Sequence, residues 1–225
     1  MPFHLPMPEN RWARGALRLL PLLLLGALTA ALPLLWLAPR HVELVVRHLG
    51  LPWMWAAFLL FVIPLGVLLW QKRPRRPGWH GLCVPLLVIT GASAFLHLHF
   101  PHNFKILDDE LIHLGISRAM HEEREVKRPA ANAYVNGTLK LGAGFTDKRP
   151  FFFAFLLTLL HDTTGYRPAN AFILNGLLTV ALLGLLYLLA ARLTCRAGGI
   201  LAVLLFSGLP LLGSNASSGS FELLN

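Results

Sequence analysis

The chain has 225 residues, of which 55% are hydrophobic and 14% charged, and its formal net charge is +9. The apolar residues form long uninterrupted stretches that a soluble core does not need, so the composition excludes a soluble globular protein and indicates an integral membrane protein. Arginines and lysines cluster at the ends of the apolar runs, as the positive-inside rule expects, and form no basic, aromatic surface for nucleic acid. We therefore expect no nucleic-acid partner.

The first hundred residues predict three transmembrane helices. Their apolar runs lie at about 16–38, 53–70 and 82–100, and each is long enough to cross a hydrocarbon layer of about 30 Å. The basic N-terminal segment "RWARGALR" and the basic connector "QKRPRRPGWH" are both predicted to be cytoplasmic. The third helix then leads to the non-cytoplasmic side.

The next segment, 101–149, holds seven of the eleven acidic residues, and three of them are consecutive in "KILDDELIH". Asp108 can cap a helix while Asp109 and Glu110 complement the positive end of its dipole. Alternatively the carboxylates have a function, because acidic groups so close to the lipid boundary are costly. His113 lies one turn after Asp109 on the same helix face, a spacing that can hold a metal ion or orient the carboxylate.

A second polar feature precedes a short apolar run. Lys148 and Arg149 stand before Pro150 in "DKRPFFFAF", where they can contact anionic lipid headgroups or clamp a lipid-linked phosphate. The apolar run 151–161 is too short to cross a bilayer and predicts an interfacial helix.

Two further transmembrane helices are predicted at 170–191 and 197–213, followed by a short tail. Arg192 and Arg196 between them are expected in the cytoplasm. The predicted fold is an all-α polytopic transmembrane bundle with a non-cytoplasmic loop and juxtamembrane interfacial helices. Its parts are three transmembrane helices in 1–100, the acidic loop and interfacial helices in 101–169, and two transmembrane helices with a tail in 170–225.

These features together resemble a known family. The Asp109-Glu110 pair, the basic step in "DKRPFFFAFLLTLLHDTTG" and the leucine-rich run ending in "LAARLTCR" occur in this order. Over roughly residues 100–225 the chain resembles the N-terminal part of the glycosyltransferase C superfamily, in its protein-mannosyltransferase and aminoarabinose-transferase-like branch. The order of the features is more specific than any one of them.

The resemblance implies an integral membrane enzyme, multi-pass in a plasma or inner membrane, with its active face outside the cytoplasm. It would move a sugar from a polyprenyl-phosphate carrier to an acceptor hydroxyl. Asp109 would be the catalytic base or a ligand of a divalent metal ion, with His113 as a further candidate ligand, and Glu110 would support it. Lys148 and Arg149 would contact the carrier phosphate. Glu222 would be a further substrate-binding residue.

The chain ends in "FELLN", which looks like the start of another helix, so we expect an N-terminal fragment of a longer enzyme, and such a fragment can be inactive in isolation. The alternative to an enzyme is a non-catalytic membrane scaffold or a transporter subunit. The predicted helices carry almost no charge in mid-membrane, whereas transporters place ionisable groups there.

Overall fold

The computed structural model describes residues 38–71, 79–104, 107–130 and 132–224. The predicted first transmembrane helix lies outside these ranges except for its last residue, and the basic residues of the connector 72–78 lie outside them too. The chain divides into two compact units, Met1–Val46 and Arg47–Asn225. The site and all the packing described below lie in the second unit.

The described chain is mostly helical. The helices are α1 (Pro39–Gln71), α2 (Trp79–His99), α3 (Leu107–Glu122), α4 (Phe152–Thr164), α5 (Asn170–Leu193), α6 (Arg196–Ser207) and α7 (Pro210–Ala216), and a 3-10 turn follows at Glu222–Leu224. Between α3 and α4 lie four short strands, β1 (Arg128–Pro129), β2 (Asn132–Val135), β3 (Thr138–Leu141) and β4 (Gly144–Phe145).

Two of the described helices, at Arg40–Gln71 and Asn170–Leu193, are long and apolar enough to cross a membrane. A third crossing is added if α6 and α7 together form one bent span. The apolar part of α2, Cys83–His99, is shorter. These lengths and compositions are compatible with membrane localisation, and α1 leaves many large apolar side chains exposed, such as Leu60 and Phe61.

The transmembrane helix predicted at 197–213 is broken in the structure, because α6 and α7 meet at an angle of 76°. The break falls at Leu209, which has extended backbone angles of φ −76° and ψ 121°, and Pro210 follows it at the start of α7. A residue before proline disfavours the helical conformation, and proline lacks the N–H that a continuing helix needs. The dipeptide therefore ends one helix and begins the next.

The all-α prediction is wrong over residues 128–145, where the strands pair in two antiparallel sheets, β1 with β4 and β2 with β3. Asn136 and Gly137 connect β2 to β3 with φ angles of 51° and 76°. A two-residue hairpin turn of this type needs positive φ at both positions, which asparagine and glycine adopt most readily. The acidic segment therefore contains a helix and a small β region.

The helix predicted to be interfacial is α4, which packs against α3 and α5. Leu114 of α3, Phe153 and Leu157 of α4, and Ala171 and Leu174 of α5 form one buried apolar cluster. Burial of a large apolar side chain stabilises a fold by about 1.5–3 kcal/mol. This packing holds the first turn of α3 and the residues before α4 in fixed positions.

Ion pairs attach the end of α3 to α1. The Arg47 guanidinium contacts Glu125 Oε2 at 2.8 Å, and the backbone N–H of Val126 donates to the carbonyl of Arg47 at 2.8 Å. Lys127, which is almost fully buried, pairs with both Glu123 and Glu125. Two of the acidic residues in segment 101–149 are thus used to hold the fold together.

A second apolar cluster joins α2, α5, α6 and α7 through Leu96, Leu183, Val203 and Leu212. Gly213 lies directly against the ring of Phe100, and a Cβ atom at this glycine would overlap the ring. This close approach brings the residues after α7 back toward α3, where the candidate site lies.

Candidate functional site

The two adjacent acids at the start of α3 have different environments. The Asp109 side chain is 32% exposed and forms an ion pair with Arg149. Glu110 is fully buried, and its Oε1 accepts a hydrogen bond of 2.8 Å from the backbone N–H of Gly219. Neighbouring residues of a helix point about 100° apart, so one acid reaches the surface while the other enters the core.

The Arg149 guanidinium lies between two carboxylates. Nη2 contacts Asp109 Oδ1, and Nη1 donates to Asp147 Oδ1 at 3.1 Å and Oδ2 at 3.3 Å. The backbone N–H of Arg149 also donates to Asp147 Oδ1, at 3.0 Å. Burial raises the pKa of Asp147, but these hydrogen bonds outweigh it and hold the pKa below its usual range. Asp147 is therefore an ionised anchor that fixes Arg149.

Glu110 binds the tail that follows α7. Gly219 packs closely against Phe104, and a Cβ at this glycine would come 2.8 Å from the ring. Asn175 of α5 fixes the same turn of chain, because its Nδ2 donates to the carbonyls of Ser218 at 2.6 Å and Ser220 at 2.9 Å. Glu110 and Asn175 thus position the tail beside the first turn of α3.

His113 is fully buried between two aromatic rings. The ring centroids of Phe153 and Phe221 lie 5.7 and 4.8 Å from that of the imidazole. Within the described part of the chain neither ring nitrogen has a hydrogen-bond partner. Burial and, to a smaller extent, the Arg149 charge lower the pKa of His113 to about 4, against the opposing effect of Asp109 and Asp147. The imidazole is consequently neutral at pH 7.

The predicted metal site at Asp109 and His113 gains no further ligands. Among the described residues no three His, Cys, Asp or Glu side chains come together in a group that could hold a metal ion. The exposed Asp109 carboxylate is also occupied by the Arg149 guanidinium. A metal at this pair stays a prediction, and none of the steps proposed below uses one.

Lys148 and Glu222 are the remaining residues that the sequence predicted for the site. Lys148 is exposed, and it forms no ion pair with any side chain in the described ranges. Glu222 begins the 3-10 turn, directly after the Phe221 that contacts His113, and its Oε2 is buried without a partner among those residues. The structure therefore brings Asp109, Glu110, His113 and Arg149 together.

Sequence reasoning missed Asp147 and Asn175. Asp147 appeared only as the residue before the Lys148-Arg149 step, although an acid two residues from an arginine is within reach of its backbone N–H. The role of Asn175 could have been inferred from the sequence, because an amide inside a predicted transmembrane helix is costly unless it has hydrogen-bond partners. Here those partners are carbonyl groups of the tail.

A second buried polar cluster surrounds His161 on α4. Asn170 Nδ2 donates to His161 Nδ1 at 2.7 Å, and its contact with the Gly165 carbonyl at 3.1 Å is consistent with this amide orientation. His161 Nε2 therefore carries the proton and donates to Ser117 Oγ at 3.3 Å. Since this nitrogen is a donor, it cannot accept the serine proton, and the cluster links helices without activating a nucleophile.

Comparison with protein-family models, curated proteins and solved structures finds no match to this chain. The resemblance to the glycosyltransferase C superfamily therefore stays a prediction from the quoted residues.

Proposed function

We propose that this protein is a polytopic membrane glycosyltransferase that moves a sugar from a polyprenyl-phosphate carrier to an acceptor hydroxyl on the non-cytoplasmic side. The observation that carries the proposal is the contact between Arg149 and Asp109 at the start of α3. It places a phosphate-binding group and a candidate base side by side in a chain with membrane-length apolar helices.

The two residues supply complementary chemistry. The acceptor oxygen attacks the anomeric carbon, its proton passes to Asp109, and the bond between that carbon and the phosphate oxygen breaks with the electron pair leaving on the phosphate. A positioned carboxylate contributes about 10²–10⁴-fold to such a step. Arg149 stabilises the charge that develops on the departing phosphate, because a guanidinium binds two oxyanion oxygens at once.

The surrounding residues keep this pair in position. Asp147 holds the guanidinium through both carboxylate oxygens and a backbone hydrogen bond, so a phosphate can replace Asp109 on Arg149 without displacing the arginine. Glu110 is a positioning residue, since its buried carboxylate binds the backbone of Gly219. The exposed Lys148 is available as a second, more mobile cation for the carrier phosphate.

The test is sugar transfer by membranes containing Asp109→Asn, with a labelled polyprenyl-phosphate sugar as donor. Asp162→Asn is the matched control, because Asp162 is also partly exposed, at 23%, and pairs with an arginine, Arg124. We expect a loss of at least about a hundredfold for Asp109→Asn at equal expression and at most a twofold change for the control. Equal transfer by the two variants contradicts the proposal.

A non-catalytic membrane scaffold is the second candidate, and the observation in its favour is that both acids of the pair have structural partners. Asp109 neutralises Arg149, and Glu110 anchors the tail. A scaffold predicts no transfer by the wild-type chain with any labelled donor. In that case Asp109→Asn changes only stability, by about 1 kcal/mol or less as expected of a partly exposed ion pair.

A further inference from the structure

A cavity of about 370 Å³ lies between α3, the β region and the residues that lead into α5. Residues from all three parts line it, including Phe104, Leu111, Gly115, Arg118, Arg128 and Tyr166. None of the residues predicted from the sequence to form the site is among its lining residues. It is a separate feature of the same side of the second unit.

One face of α3 forms a wall of the cavity. Leu111, Gly115 and Arg118 follow one another at spacings of four and three residues, which places them on one helix face. The missing side chain at Gly115 leaves room in this wall. A Cβ atom there would meet Pro129 Cδ at 3.5 Å, an ordinary contact distance, so a larger side chain at this position would extend into the cavity.

Among the described residues, the polar groups that line the cavity are two arginines and a tyrosine, and none of the lining residues is acidic. The Arg118 guanidinium lies 4.7 Å from the centre of the Tyr166 ring. Its Nε pairs with Glu122 at 2.7 Å, which fixes its orientation. Burial raises the pKa of Tyr166, so its hydroxyl stays protonated and can donate a hydrogen bond. The lining therefore offers guanidinium and hydroxyl hydrogen-bond donors, and a carboxylate outside the lining pairs with each guanidinium, Glu122 with Arg118 and Asp147 with Arg128.

The rest of the lining is predominantly apolar, with Phe104, Leu111 and Ile112 among its members. Cations beside an apolar wall suit a ligand with an anionic group and a nonpolar body. The arginines favour phosphate in particular, because their planar fork matches its oxygens.

We propose that this cavity binds the phosphate group of an amphiphilic ligand, with Arg118 and Arg128 on the phosphate oxygens and the nonpolar part against Phe104 and Leu111. The phosphate can come from a lipid headgroup or from a water-soluble phosphate ester, and the experiment below distinguishes these sources. The inference concerns binding alone and does not depend on the reaction proposed above.

The buried Asp147 carboxylate connects the cavity to the Asp109 site. Asp147 Oδ2 accepts hydrogen bonds from Arg128 Nη1 at 3.4 Å and from Arg149 Nη1 at 3.3 Å. A ligand that draws Arg128 toward its phosphate therefore acts on the same carboxylate that anchors Arg149. Occupation of the cavity is expected to alter the environment of Arg149 without direct contact.

The test measures binding to the purified full chain in detergent micelles by calorimetry. The probes are dihexanoyl phosphatidic acid, inorganic phosphate and, as a ligand without phosphate, dihexanoylglycerol. The variants are Arg118→Gln, which removes a cation, and Gly115→Leu, which fills the cavity. Arg192→Gln is the control, because it removes an equal charge from an exposed position at the other end of α5. Circular dichroism and thermal melting identify variants that fold.

We expect phosphatidic acid to bind at least tenfold more weakly to Arg118→Gln and Gly115→Leu and with unchanged affinity to Arg192→Gln. Tighter binding of phosphatidic acid than of inorganic phosphate assigns the site to a lipid, whereas equal binding assigns it to a soluble phosphate and overturns the proposed contact of a nonpolar part with Phe104 and Leu111. The proposal is overturned if neither phosphate probe binds, if dihexanoylglycerol binds as tightly as phosphatidic acid, or if both variants bind like the wild type. Should Arg118→Gln not fold, Gly115→Leu and Arg118→Lys decide the question, because lysine keeps the charge but loses the planar fork and is expected to bind phosphatidic acid more weakly than the wild type.

Discussion

Acidification is expected to destabilise the protein through His161, in the polar cluster that joins α3, α4 and α5. The side chain is fully buried. Burial lowers its pKa from 6.5 to about 4, with a further contribution from the charge of His121 and an opposing effect of Asp162. Between pH 6.5 and about 4 the unfolded chain therefore binds a proton at this residue and the folded chain does not. Stability is full above pH 6.5 and falls as the pH decreases through this window.

The size of the effect follows from the two pKa values. The pKa of the imidazole is 6.5 in the unfolded chain and about 4 in the folded chain. At pH 5 this difference lowers the free energy of unfolding by about 2 kcal/mol relative to pH 7.5. For a chain of this size, about 2 kcal/mol corresponds to a decrease in Tm of roughly 4–8 °C. The physical cause is the energy needed to place a charge in a buried site, which the hydrogen bond with Gly165 and the charge of Asp162 offset only in part.

The assay compares the Tm of the wild type and His161→Gln in detergent micelles between pH 7.5 and 5, followed by tryptophan fluorescence. Glutamine keeps a donor toward Ser117, loses the acceptor for Asn170 and does not titrate. We expect the variant to be less stable at pH 7.5, by about 1–3 kcal/mol, and this difference to shrink by about 2 kcal/mol at pH 5. His113 titrates in both proteins and cancels in the comparison. Parallel pH profiles would refute the reasoning.

Two further predictions concern single side chains. Gly213→Ala should destabilise the fold by about 1–3 kcal/mol, because the new Cβ overlaps Phe100. Gly184→Ala has open space around its Cβ and should be neutral or stabilise the fold by up to about 1 kcal/mol. Thermal melting of both variants measures the difference, and equal Tm values contradict the packing described. His113→Leu should stabilise the fold by about 1 kcal/mol, because it removes a buried polar ring whose nitrogens have no partner among the described residues, and a lower Tm shows that the imidazole supports the fold.

Local properties of the chain were readable from the sequence. The long helices α1 and α5 follow from runs of apolar residues, and the short helix α4 follows from the length of its run, because helix formation and burial in lipid depend on consecutive residues. The hairpin turn at Asn136 and Gly137 was missed, although this dipeptide is a strong hairpin signal. The break before Pro210 was missed too, although proline acts on its immediate neighbours.

The pairing of side chains was decided by the tertiary structure. From the sequence Asp109 and Glu110 were one acidic pair, yet packing of α3 exposes one and buries the other against the tail. Arg149 and Lys148 were predicted together as the two cations that contact the carrier phosphate, but among the described side chains Asp109 and Asp147 pair with Arg149 and not with Lys148.

The sequence by itself predicted long apolar helices, which are compatible with membrane localisation, and it showed that the charges gather in a few short segments. Which charges meet depended on contacts between residues 40 or more positions apart, such as Asp109 with Arg149 and Glu110 with Gly219. The cavity lined by Arg118, Arg128 and Tyr166 likewise exists only where three separate elements pack together. Periodicity and composition report on neighbours along the chain, whereas a site is formed by neighbours in space.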